Sequence, residues 1–158
     1  MTIFATETAF HRAAGIVPVA DCLLDAAYVA ETRRLRNLSA RHAGVPPQIM
    51  EEGRAFGDHW PRIRFFRTLK KGKPAAGWYH PGLPMWIWIH ADVPADDLPR
   101  VVAHEVHHFA EGLQGRAPSE VDAEAFAAEF ARSLAPNSTR GLIIRPSIER
   151  VYAPPNAA

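Results

Sequence analysis

The string His104-Glu105-Val106-His107-His108 constrains this chain more than any other five residues in it. On a helix, two histidines four residues apart project from one face, so their rings converge on one metal ion. Glu105, about 100° round the helix from His104, leans toward the space beside such an ion. Zinc takes neutral nitrogen ligands, and hydrolysis needs a base next to the attacking water; the string supplies both. Two ordinary readings compete with a metal: histidines on a solvated helix face, and hydrogen-bonded core histidines. The flanking residues decide between them.

Those flanks predict a helix that begins near Asp96 or Asp97, either of which caps it, with Pro99 in the first turn. Gly112 and Gly115 mark its end. Val102, Val106, Phe109 and Leu113 recur at helical spacing, and His104, His108 and Val101 lie on the other side. A helix apolar on one side and metal-binding on the other has to be sandwiched between layers. The preceding run, Met85 to His90, alternates as a strand, with Met85, Ile87 and Ile89 on one face and Trp86, Trp88 and His90 on the other. Arg62 to Leu69 and Ala75 to His80 read as two more strands, joined by a basic turn at Lys70 to Pro74 and followed by a Pro81-Gly82 turn. The spacing suggests a three-stranded antiparallel meander that leads straight into the metal helix.

Upstream, Asp21 to Ala43 reads as a helix with an apolar stripe of Leu24, Ala27, Tyr28, Leu35 and Leu38, while Arg33, Arg34, Arg36 and Arg41 decorate the rest. Gly44 and Pro46-Pro47 stop it, and Gln48 to Asp58 suits a second short helix. Met1 to Ala20 lacks periodicity and reads as an arm or short helix. Downstream, Ala117 to Leu134 is a further helix opened by a capping box of Ser119 with Asp122 and closed by Pro136. Gly141 to Ile144 suits a short strand before a Pro/Asn/Ala tail over 146–158. The whole is an α+β arrangement in one domain, 1–158.

Composition removes several alternatives. The single Cys22 rules out an internal disulfide framework and a cysteine-rich zinc cage, and reads as a small buried apolar residue. Residues 2–20 do not read as a signal peptide, and no apolar run approaches the ~20 residues of a membrane span. A cytoplasmic location is therefore expected. The net charge of +1 hides an asymmetry: 33–73 holds eleven Lys/Arg against three acids, and 92–129 holds nine acids against two arginines. The basic half suits an acidic partner or nucleic acid. Two mutually attracting solvated faces explain the pattern more simply, since no DNA-binding motif accompanies it, and direct nucleic-acid binding is not expected.

Catalytic zinc takes three protein ligands and leaves a position for water, so a third ligand is needed. The long metzincin motif requires Gly and His where this chain has Glu111 and Gln114. An acid on the following helix remains: Glu120, Asp122 or Glu124. Stepping back along the stripe of Ala123, Ala127, Phe130 and Leu134 lands on Glu120. Asp122 lies about 200° away and serves the cap, and Glu124 is placed to hydrogen-bond a ligand histidine. Glu120 is favoured, with Glu124 as its alternative.

The runs Val102-Ala103-His104-Glu105-Val106-His107-His108 and Glu120-Val121-Asp122-Ala123-Glu124-Ala125-Phe126-Ala127 together resemble the ImmA/IrrE family of zinc metallopeptidases, whose pattern is AHExxH followed by ExxAxxFA on the next helix. The resemblance spans residues 75 to 136, and Glu124 stands where the family commonly has Asn or Asp. It implies a small gluzincin-like, zincin-type domain with His104, His108 and Glu120 holding Zn2+ and Glu105 as catalytic base. Members cleave helix-turn-helix repressors, so a regulatory protein or peptide is the implied substrate. Tyr79, His80, His107 and Tyr152 are candidates for the oxyanion donor, and the edge of the Trp86 to His90 strand is a candidate seat for substrate backbone. Two rivals stand: a non-catalytic metal-binding protein whose basic half binds a regulator or nucleic acid, and a hydrolase of non-peptide amides.

Overall fold

The most apolar run of the chain, Trp86-Ile87-Trp88-Ile89-His90, takes an interior place in a four-stranded sheet. The computed structural model describes residues 15–68, 76–80, 82 and 84–134. Its strands are β1 (Ile16–Val19), β2 (Arg62–Thr68), β3 (Gly77–Tyr79) and β4 (Trp86–His90), in spatial order β1-β2-β4-β3. β4 pairs parallel with β2, placing Ile89 beside Phe65, and antiparallel with β3, placing Trp88 beside Trp78. β1 pairs antiparallel with β2.

The α+β class expected from the sequence holds, but the three-stranded antiparallel meander is corrected. The sheet is mixed, and β3 lies at its edge. Burial explains the exchange of places. β4 is buried on both faces from Ile87 to His90, whereas every residue of β3 is only half-buried; the strand with more apolar surface to hide takes the centre. The edge of Trp86 to His90 is therefore committed to β2 and β3. A second correction concerns Met1 to Ala20, which contains β1. Four residues with Pro18 among them carry too little alternation to read as a strand, and a proline is tolerated because β1 is an edge strand.

Helices α1 (Ala26–His42), α2 (Pro47–Glu52), α3 (Leu98–Leu113) and α4 (Glu120–Leu134) complete the described architecture, with 3-10 turns at Asp21–Leu23 and Gly53–Phe56. The main core joins Ile63, Phe65, Ile87 and Ile89 of the sheet to Leu35 of α1, Val102, Val106 and Phe109 of α3, and Ala127 and Phe130 of α4. Each large side chain in it contributes about 1.5–3 kcal/mol by leaving water. The opposite sheet face carries a smaller cluster of Ile16, Phe66 and Trp88 flanked by Trp78 and Trp86. The two faces separate Ile87 and Ile89 from Trp86 and Trp88, as the alternation predicts.

In α1 the buried side is Val29, Thr32, Leu35, Arg36, Ser39 and Ala40, rotated from the predicted stripe. Arg36, expected on the surface, is 1% exposed because Asp58 draws it inward: its guanidinium donates to both Asp58 carboxylate oxygens at 3.1 Å and to the carbonyls of His59 and Pro61. Cys22, expected to be buried, is exposed. Among the described residues no helix is long and apolar enough to cross a membrane. The basic turn at Lys70 to Pro74, the strand at Gly141 to Ile144, Pro136 and Tyr152 lie outside the described residues.

Candidate metal centre

Helix α3 is built as its sequence requires. Asp97 is its N-cap, Pro99 sits in its first turn, and Val102, Val106 and Phe109 are at most 1% exposed against the sheet, α1 and α4. Its end is a Schellman turn: Arg116 N–H donates to the Glu111 carbonyl at 2.9 Å and Gly115 N–H to the Gly112 carbonyl at 3.1 Å. Gly115, at φ +69°, adopts the left-handed conformation this turn needs. The chain thereby reverses within a few residues, and α4 packs along α3.

That reversal brings together the three residues selected from sequence. His104 Nε2 and His108 Nε2 lie 3.2 Å apart. Glu120 reaches both, with one carboxylate oxygen 3.0 Å from His104 Nε2 and the other 2.8 Å from His108 Nε2. Four ligands around zinc at ordinary bond lengths stand about 3.3 Å apart, so this spacing suits one small cation. The remaining ring nitrogens support that fit. His104 Nδ1 is 3.1 Å from Glu124, and His108 Nδ1 is 2.9 Å from Glu111. A carboxylate accepts a proton but donates none, so each of these can accept the Nδ1 hydrogen in a hydrogen bond and leave the Nε2 lone pair for a cation seated between the rings and Glu120. Two ring nitrogens and a carboxylate converging on one point form a group that could hold a metal ion.

Glu105 follows His104 and is buried, 6% exposed. Burial, reinforced by the negative charges of Glu120 and Glu124, pushes its carboxyl well above the usual carboxylate range. A bound cation acts in the opposite direction. Strand β3 crosses directly over this carboxylate at Gly77. A cleft of about 330 Å³ is lined by Gly77, Trp78, Tyr79, His104, Glu105, His108, Pro118 and Glu120, a size suited to a small part of a ligand.

Of the four candidate oxyanion donors, Tyr79 alone among the described residues lines this cleft. His80 accepts a hydrogen bond from Gly82 N–H through Nδ1. His107 packs its ring on Phe126, 5.2 Å between centroids, away from the cleft. Glu124 Oε1 stands 3.1 Å from His104 Nδ1, and Asp122 N–H donates to the Ser119 hydroxyl. Gly77, Glu111 and Gly112 have no place at the site in the sequence pattern. A side chain at Gly77 would collide with Glu105, and one at Gly112 would come within 2.6 Å of the Tyr79 hydroxyl. Glu111 carried a legible signal, since it lies three residues after His108 on the same helix face.

Known protein families, characterised proteins and solved structures were compared with this chain, and none matches it.

Proposed function

We propose that this chain is a zinc-dependent metallopeptidase of the ImmA/IrrE type, acting on a protein or peptide substrate such as a regulatory repressor. The observation that carries the reading is the convergence of His104 Nε2, His108 Nε2 and the Glu120 carboxylate beside the buried Glu105. Those three residues would hold zinc, whose chemistry there would be an acidified water and Lewis-acid polarisation of the scissile carbonyl. Glu105 accepts the proton of the attacking water and delivers it to the leaving amine. Tyr79, in the cleft wall, is the described residue best placed to donate to the carbonyl oxygen as charge develops there. The edge strand β3 offers backbone groups to an extended peptide laid across the same wall.

Several of the basic residues on which the interaction-protein rival would draw already face carboxylates. Arg33 pairs with Asp21 and Asp58, Arg34 with Glu31, Arg54 with Glu51 and Arg67 with Asp92. Much of the basic half is thus neutralised where it stands. Glu105→Gln separates the two readings: zinc binding is retained, and cleavage of a peptide library falls about 10²–10⁴-fold. Unchanged cleavage by that variant contradicts the peptidase reading.

A further inference from the structure

We propose that Glu111 is a positioning residue that sets two of the metal ligands at once, a role that rests on the metal-centre reading above. It stands in the last turn of α3, 2% exposed, and its two carboxylate oxygens serve different elements. Oε1 accepts from His108 Nδ1–H at 2.9 Å. Oε2 accepts from the backbone N–H of Ser119 at 3.1 Å. Ser119 immediately precedes Glu120, so one side chain holds both the His108 ring and the start of the helix that presents the third ligand.

The second bond replaces an interaction the sequence pattern assigns elsewhere. In a capping box the N-cap hydroxyl accepts from the third residue of the helix, whose side chain reaches back to the N-cap N–H. Here the first half forms, with Asp122 N–H donating to Ser119 Oγ at 3.2 Å. The reciprocal half is made by Glu111, from the neighbouring helix. Asp122 is one methylene shorter than the glutamate of the usual box. The cap of α4 is therefore completed from α3, which fixes the separation of the two metal-bearing helices at the metal.

The position is otherwise a poor one for a carboxylate. A helix C-terminus carries partial negative charge, and a buried acid loses its water. Glutamine would fill the same volume without a charge. The carboxylate has a use glutamine lacks: with both oxygens accepting, it satisfies Ser119 and holds His108 as the Nδ1–H tautomer. An amide has one accepting oxygen and must give up one of the two. His107 Nδ1 also lies 3.3 Å from Oε1 but makes no hydrogen bond, so His108 is the ring that Glu111 holds.

The test uses the full chain stripped of metal, in wild-type, Glu111→Ala and Glu111→Gln forms. Zn2+ is titrated against a competing chelator, and imidazole ¹⁵N shifts are read in the metal-free proteins at a pH where the rings are neutral. Glu111→Ala is expected to weaken Zn2+ binding about 10–100-fold and to move His108 toward the Nε2–H tautomer. Glu111→Gln, nearly the same shape, is expected to lie between it and wild type, and it carries the test if the alanine variant does not fold. Zn2+ affinity and His108 tautomer both unchanged in Glu111→Gln would overturn the proposal while leaving the metal centre standing. A wild-type chain that takes up no Zn2+ would overturn the metal centre, and the proposal with it.

Discussion

Gly77 lies where β3 passes over Glu105, and a Cβ built there would come within 2.9 Å of Glu105 Cγ and 3.0 Å of its Oε2. The glycine gives the buried carboxylate the room to face the cleft. Gly77→Ala is expected to displace that carboxylate and lower peptide cleavage by roughly 10²-fold, the cost of a misplacement near 1 Å. Zn2+ affinity should stay near wild type, because the atoms nearest a Cβ at Gly77 belong to Glu105 and Val101; paired titration and cleavage assays read the two effects separately. The ligands and Gly77 differ in how far sequence reaches them. His104, Glu105 and His108 are legible because helical periodicity is local. Glu120 is legible because the apolar stripe of α4 fixes which way it points. Gly77 meets Glu105 only through tertiary packing, and no spacing along the chain encodes that approach.

Between elements, the tie of α1 to the start of β2 rests on Arg36 and Asp58. Burial pushes the Asp58 carboxyl up, but hydrogen bonds and charge from Arg36 outweigh it and hold the group below its ordinary value of 3.8. Asp58→Asn strands a guanidinium that is 1% exposed, and is expected to cost about 3–5 kcal/mol in urea unfolding at neutral pH. Sequence periodicity misjudged this face of α1 because it scores arginine as polar and cannot see its partner 22 residues away. Periodicity also found β2, β3 and β4 but missed the short β1 and misordered the sheet. Alternation within a strand reports which face is buried, whereas neighbour order depends on which strand has most apolar surface on both faces, as β4 does.

For the molecule as a whole, two groups make acid destabilising in the same sense. The depressed Asp58 carboxyl contributes stability that is present above its unfolded value and lost as pH falls through the folded one. His90, pushed below its ordinary value of 6.5 mainly by burial, accepts a hydrogen bond from Asp92 N–H that a protonated ring could not accept. It adds a loss that begins as pH drops below 6.5. Urea midpoints should therefore fall in two stages, and Asp58→Asn should flatten the more acidic one. Chelation, by contrast, should lower the melting temperature only modestly, because the apolar core of sheet, α1 and α3 includes none of His104, His108 and Glu120. Collapse of the fold on chelation would mark the ion as structural. The proposed activity depends first on His104, His108 and Glu120 sharing one ion. Calorimetric titration of Zn2+ into metal-stripped wild type and His104→Ala tests it: about one equivalent binds tightly to wild type, and removing one of three ligands abolishes that binding. Equal binding by the two proteins, or none by wild type, would contradict it.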